Sequence, residues 1–249
     1  MRTPTRLLAG VAGVGLVSVA VLAGEGALAA SRTYLSAADA PPGTGEYGAG
    51  ADLRLVIAGD STAVGLGAGS NAATVGGRLA ARLAADSGRR VLVSSVAVSG
   101  ARSRDLPGQA AAALAARPDL VVVLVGANDA THGARRSGVR RDLGVAVRML
   151  TDRRIPVVLA TSPDLGAARN FAQPLRLVLA WQGRRVAAAQ TAAVTEAGGV
   201  AVPLGRLTGP TFRADPSTLS RDEFHPSEHG YAVWADAIAP AVLQAARRG

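Results

Sequence analysis

The chain has 249 residues, 49% of them hydrophobic, and a net charge of +9; this is material for one domain with a sizeable core and argues against a disordered chain. It contains no cysteine, and all 27 basic residues are arginine, which excludes thiol nucleophiles, thiolate metal sites, disulfides, a Walker A lysine and lysine Schiff bases. The charge does not point to nucleic acid, because only 3% of residues are aromatic, too few for a base-stacking platform, and the arginines are scattered along the chain.

The N-terminus carries Arg2 and Arg6, then an apolar run from Leu7 to Ala23 broken only by Ser18, then Ala27-Leu28-Ala29. A positive end, an apolar run and a small-x-small site describe a secretory signal. The run is long for a signal and short for a comfortable membrane span, which needs ~20 residues. Residues 1–30 are therefore read as a signal peptide or an N-terminal membrane anchor. Either reading puts the rest of the chain outside, secreted or extracytoplasmic, since the arginines favour the inner side; membrane contact would come through this segment. Residues 31–50, with Pro41-Pro42-Gly43, Gly45, Gly48 and Gly50, show no hydrophobic period and read as a flexible linker. The globular domain is expected over 51–249, with a monomer favoured.

Five apolar runs follow: Leu53–Ala58, Val91–Val98, Leu120–Val125, Val157–Ala160, and Val200–Val202 with Leu204. Such runs suit strands buried on both faces of a parallel sheet. Helical segments are predicted over Thr74–Ala85, Gln109–Ala116, Val139–Leu150, Leu175–Ala197 and Tyr231–Arg247. The alternation implies βαβ units, in a three-layer α/β/α sandwich around a central five-stranded parallel sheet. Ligands bind such sheets beyond the carboxyl ends of the strands. The loops after Ala58, Val98, Val125, Ala160 and Leu204 are the ones to read. Trp181, Tyr231 and Trp234 read as packing residues.

Four places at or near that edge carry chemistry. Gly59-Asp60-Ser61-Thr62 follows the first strand and offers a hydroxyl beside a glycine. Ser99-Gly100-Ala101 follows the second with a sterically open N–H, and Gly126-Ala127-Asn128-Asp129 follows the third with a carboxamide. Near the C-terminus, Asp222-Glu223-Phe224-His225-Pro226 sets an acid three residues before a histidine. Pro226 keeps His225 out of a helix and suggests a helix start just after it. Each feature has a plain structural use: Asp60 and Asp129 could cap turns, Ser61 a helix, and Gly100 could serve a turn. Their joint placement, in a chain with only three histidines, favours a site.

This order of motifs resembles the SGNH hydrolase superfamily, also called GDSL-type esterases and lipases. The resemblance runs from about Leu53 to the C-terminus. Thr62 stands where the family has leucine, and an asparagine often seen two residues before Gly100 is absent. The resemblance implies a flavodoxin-like fold and a serine esterase acting on lipid, small-molecule or acylated-glycan esters without a cofactor. It also implies the roles: Ser61 as nucleophile, His225 as base, Asp222 orienting His225, and an oxyanion hole from the N–H groups of Ser61 and Gly100 with the Asn128 amide. A serine hydroxyl needs a base and the oxyanion needs preorganised donors, so the residue types suit the chemistry.

Two other classes compete. Asp222, His225, Glu228 and His229 cluster in sequence and could form a metal-dependent hydrolase, but the glutamate of His-Glu-x-x-His is missing. A non-catalytic cell-wall or glycan-binding domain would leave the four motifs unexplained. No Gly-x-Ser-x-Gly elbow is present, and Gly65-x-Gly67-x-Gly69 lacks the third glycine of a dinucleotide loop. Substrate-binding residues are not readable. The segments expected to shape a pocket are Thr62–Ala73, Ala130–Gly138, Pro163–Gln173 and Gly205–Arg221, with Phe171 and Phe212 their large apolar residues.

Overall fold

A computed structural model describes residues 21–29 and 31–248. Arg2, Arg6 and most of the apolar run lie outside the described residues; 21–29 are helical. Among the described residues no helix is long and apolar enough to cross a membrane.

The strands are β1 (Gly45–Tyr47), β2 (Asp52–Gly59), β3 (Arg90–Ser95), β4 (Leu120–Leu124), β5 (Val157–Ala160) and β6 (Val200–Val202), in the sheet order β1-β3-β2-β4-β5-β6. The expected five parallel strands are present, and a sixth, β1, joins the edge antiparallel to β3. The five-stranded count is thereby corrected to six. The extra strand lies inside the stretch read as linker. Asn71 fastens the same stretch, accepting from Gly43 N–H at 3.0 Å and donating to Thr44 O at 2.5 Å.

Beyond residues 21–29, the α-helices are α1 (Ser61–Val64), α2 (Val75–Ser87), α3 (Leu106–Ala115), α4 (Ala127–Thr131), α5 (Arg136–Thr151), α6 (Leu175–Glu196), α7 (Leu204–Ala214) and α8 (Glu228–Ala246). Local chemistry sets their ends. Thr74 Oγ1 accepts from Gly77 N–H at the start of α2, and Gly88 closes it at φ +64°. Ser227 does the same for α8 by accepting from Gly230 N–H. Leu204, read as part of the last strand, instead opens α7. Most of the Gly205–Arg221 segment is therefore helix rather than loop.

Alternation sorts the strand side chains into two cores. Leu53, Leu55 and Ile57 of β2, with Val122 and Leu124 of β4, face Leu79 and Leu83 of α2 and Trp234, Ile238 and Val242 of α8. Val56 and Ala58, with Val121 and Val123, face Ala110 and Ala113 of α3, Leu143 and Val147 of α5, and Ala193 and Val194 of α6. Three layers result, as expected. Tyr231 and Trp234 are buried, but Trp181 is 47% exposed; its ring carries the Arg185 guanidinium 4.3 Å from its centre and is not a core residue.

Gly59 pairs with Leu124, Leu124 with Ala160, and Ala160 with Val202. These strand ends are level, so the segments after them share one rim. The chain adds β3 on one side of β2 and β4 on the other, and that reversal opens a crevice beyond β2 and β4.

Candidate active site

The turn after β2 is built around a glycine. Gly59 has φ +135°, and a Cβ there would lie 1.8 Å from Leu124 O, so no other residue fits. The Gln109 side chain clamps its peptide: Gly59 N–H donates to Gln109 Oε1 at 2.6 Å, and Gln109 Nε2 donates back to Gly59 O at 2.9 Å. Asp60 N–H donates to Leu124 O at 2.9 Å. The Asp60 carboxylate caps α1, accepting from Thr62 N–H at 2.9 Å and Thr62 Oγ1 at 2.7 Å. Ser61 is thus the first residue of a single helical turn, and its N–H has no partner among the described residues.

Asp222 and His225 come from a tight loop before α8. An isolated bridge between Leu219 and Pro226 closes it, with Ser220 N–H donating to His225 O at 2.8 Å. His225 Nε2 lies 2.9 Å from Ser61 Oγ, and His225 Nδ1 lies 2.6 Å from Asp222 Oδ2. Asp222 Oδ1 accepts from the N–H groups of Phe224 at 3.1 Å and His225 at 3.0 Å. Burial pushes the Asp222 carboxyl up, but the bonds from the His225 ring, the two N–H groups and the imidazole charge outweigh it and bring the pKa down to about 2. Asp222 is therefore a carboxylate at neutral pH, and the imidazole is held with Nε2 toward the hydroxyl. Such a hydroxyl–imidazole–carboxylate row can move a proton off the serine oxygen and return it.

Gly100 has φ +81°, open space where a Cβ would be, and an N–H with no partner among the described residues. Asn128 follows Gly126 at the start of α4. Its Nδ2 donates to Ala101 O at 3.2 Å, which leaves the second amide hydrogen free. Asp129 fixes α4 to the Gly100 loop by accepting from Ser103 N–H at 3.0 Å and Ser103 Oγ at 2.9 Å. Burial raises the Asp129 pKa against these bonds. The turn-capping uses of Asp60 and the structural use of Asp129 are thus both realised beside the motif residues.

Burial also lifts Asp60, to about 6, against the bonds from Thr62. The folded value exceeds the ordinary 3.8, so the folded chain holds the extra proton between these values, and this group's stability contribution falls as pH rises through them. Asp222 has the opposite sign, with stability lost as pH falls from 3.8 toward about 2. Asp60→Asn keeps the Oδ1 acceptor and removes the titration. Its melting temperature, relative to wild type, is expected to be higher at about pH 7 than at about pH 4.5. An offset equal at both pH values in thermal melts contradicts the assignment.

Ser61, Gly100, Asn128 and His225 all line one cavity of about 410 Å³. Its other walls are mostly apolar: Leu66, Phe171, Leu175, Leu179 and Phe224, with Thr131 and His132 at one side. Three of the four expected pocket segments contribute; Gly205–Arg221 does not, and Phe212 packs in the core against Trp234. The alternative cluster does not converge. His229 turns to Asp215 at 3.3 Å and is 54% exposed, while Glu228 accepts from Gly69 N–H at 2.9 Å. Among the described residues no three such side chains could hold a metal ion. Reading the sequence missed Gln109, although a lone glutamine opening an alanine run was its signal. It also missed Tyr34 and Leu35, which line the cavity from ahead of the domain.

A family model described as the GDSL-like lipase/acylhydrolase family matches residues 57–233. The chain is similar to a GDSL-like esterase, Rv1075c, of Mycobacterium tuberculosis, with 44% identity over 192 residues, 75% of this chain. The match spans 60% of that relative's own length. Among solved structures, TesA is similar with a TM-score of 0.61 at 20% identity, covering 77% of this chain and 99% of that one. The lipase/acylhydrolase of Enterococcus faecalis is similar with a TM-score of 0.58 at 19% identity, covering 80% of this chain and 97% of that one. Both structural likenesses are likenesses of fold.

Proposed function

The chain belongs to the GDSL-like lipase/acylhydrolase family, and on that premise we propose that it is an exported serine esterase cleaving carboxylic esters through an acyl-enzyme on Ser61. The observation that carries the reading is the row Ser61 Oγ, His225 Nε2, His225 Nδ1, Asp222 Oδ2, with spacings of 2.9 and 2.6 Å at its two hydrogen bonds, Ser61 and His225 both lining the cavity of about 410 Å³.

In the proposed reaction His225 Nε2 takes the Ser61 proton as Oγ attacks the ester carbonyl. The carbonyl oxygen gains negative charge and meets the free N–H groups of Ser61 and Gly100 and the Asn128 amide. Asp222 holds the resulting imidazolium through Nδ1. His225 then gives the proton to the leaving alcohol, and the acyl group stays on Ser61. Water enters, His225 takes one of its protons, and the reversed steps release the acid. The hole matters because preorganised donors favour the charged state over the neutral ester. An acceptor alcohol in place of water would make the same machinery a transferase.

The apolar walls favour an acyl chain rather than a polar acid, so lipid or other acyl esters are the proposed substrate class. Export rests on Arg2, Arg6, the apolar run and Ala27-Leu28-Ala29. A serine-directed fluorophosphonate followed by peptide mapping tests the chemistry. Labelling at Ser61 with hydrolysis of p-nitrophenyl esters is expected. Turnover lost to a chelator would favour the metal enzyme, and neither labelling nor turnover would favour the binding domain.

A further inference from the structure

The family match begins at residue 57, yet the cavity is also walled by Gly26, Ala29, Tyr34 and Leu35. The segment 32–36 reaches the triad itself. Leu35 N–H donates to Asp222 Oδ2 at 3.2 Å, the same oxygen that faces His225 Nδ1. Tyr34 stands edge-on to Phe224, with ring centres 5.6 Å apart, and Phe224 in turn stands edge-on to the His225 ring at 5.0 Å. The Tyr34 hydroxyl accepts from Asn170 Nδ2 at 3.1 Å and donates to Ala29 O at 3.1 Å. Arg32 pairs with Glu223 at 3.8 Å, one residue beyond Asp222. The contacts of Leu35, Arg32 and the Tyr34 ring end on the Asp222–His225 loop, and the Tyr34 hydroxyl is held by Ala29 of the cavity wall and by Asn170, the neighbour of Phe171 in that wall.

We propose that residues 32–36 form a strap that completes the active site, with Leu35 N–H positioning Asp222 and the side chains of Tyr34 and Leu35 closing the cavity around an apolar acyl chain. The proposal rests on the esterase reading and deepens it in two ways. Without the strap, Asp222 Oδ2 would have His225 as its sole partner among the described residues, and the carboxylate would be freer to turn. The Leu35 side chain is a separate matter. It is half-buried at the cavity wall and can contact the acyl chain but not the reacting atoms. Leu35 is therefore a positioning residue through its backbone and a specificity residue through its side chain.

Two substitutions in the full chain separate these roles. Leu35→Pro removes the N–H donor; Leu35→Ala keeps it and removes the wall. Leu35→Pro is expected to lower kcat at least about 10-fold on both acetyl and decanoyl p-nitrophenyl esters, as for one lost hydrogen bond to a charged group, with KM little changed. It is also expected to shift the low-field proton resonance of His225 Nδ1–H. Leu35→Ala is expected to lower the decanoyl-to-acetyl ratio of kcat/KM about 10-fold, the scale of a methylene or two in an apolar pocket. If Leu35→Pro does not fold, Tyr34→Phe, which in the full chain with Ala29 retained cuts both hydroxyl bonds of the strap, must lower kcat and shift the same resonance. A folded Leu35→Pro, or failing that Tyr34→Phe, with wild-type kcat and resonance overturns the positioning role, and an unchanged ratio in Leu35→Ala overturns the wall. If wild type shows neither turnover nor Ser61 labelling, the esterase reading fails. The resonance of the strap variants against wild type then still decides the positioning role.

Discussion

Ser61→Ala is expected to reduce ester turnover by about 10⁴–10⁶-fold, the range seen when a serine nucleophile is removed from a working triad. Among the described residues no other hydroxyl lies within hydrogen-bond distance of His225 Nε2, and the Thr62 Oγ1 hydrogen goes to Asp60 Oδ1. The fold should survive. Ser61 Oγ makes one side-chain bond, to His225 Nε2, and the turn around it is held by Gly59, Gln109 and Asp60 rather than by the hydroxyl. A loss near 1 kcal/mol is expected for one net hydrogen bond, read as a small fall in melting temperature. The measurement is initial velocity on p-nitrophenyl butyrate beside fluorophosphonate labelling, with purified protein. Turnover near wild type would remove the acyl-enzyme mechanism, whatever the fold.

The second large effect belongs to the histidines. His225→Ala should cost about as much as losing the serine, because the two act as one unit and their losses do not add. The double variant with Ser61→Ala should therefore be little worse than either alone. His229→Ala should lose little, since its ring pairs with Asp215 at the surface. His132→Ala sits between these extremes. It lines the cavity and its Nδ1 lies 2.9 Å from Asn128 O, so a loss under about 10-fold is expected, the scale of one neutral hydrogen bond. Steady-state rates on the same ester rank the three. Activity abolished by His229→Ala and kept by His225→Ala would reverse the assignment and bring the metal reading forward.

What the sequence shows clearly is whatever local chemistry enforces. Leu120–Leu124 is apolar at every position, and only a strand buried on both faces uses such a run. Gly59, Gly100 and Gly126 all take positive φ; Gly59 and Gly126 each stand two residues before a polar residue of the cavity, Ser61 and Asn128, and Gly100 lines it itself. The Asp222-x-x-His225-Pro226 spacing fits because a loop pinned by Leu219 and Pro226 turns the carboxylate back onto the ring. The features hidden from sequence reading depend on partners far along the chain. β1 is three residues, Gly-Glu-Tyr, with no period of its own; it is a strand because β3 offers an open edge. Gln109 reads as an ordinary helix residue until Gly59, fifty positions earlier, is found against it. Tyr34 and Leu35 lie in a stretch whose prolines and glycines look like a spacer, and their use comes from Asp222, 187 positions away for Leu35. Trp181 illustrates the converse error: a large ring in a helical segment reads as buried, while an arginine one turn on covers its exposed face.

Gln109 has a counterpart. Gln190, fully buried, accepts from Ser162 N–H at 2.7 Å and donates to Val125 O at 2.9 Å. Strand ends ordinarily fray, because their last amides lack ladder partners and open at little cost. Here Gly59 and Ser162, each at or just past a strand end, give their amide hydrogens to a glutamine sealed in the interior. Breaking either bond strands a buried polar group on both sides, so these two amides are expected to open only when the core does. In the language of amide exchange, the slow-exchanging core is expected to extend to Gly59, two residues from Ser61. On the proposed reaction, the motion that admits an ester and releases an acid is then expected from the other side of the cavity. That side is the strap and the start of α6, held by side-chain contacts that can break singly.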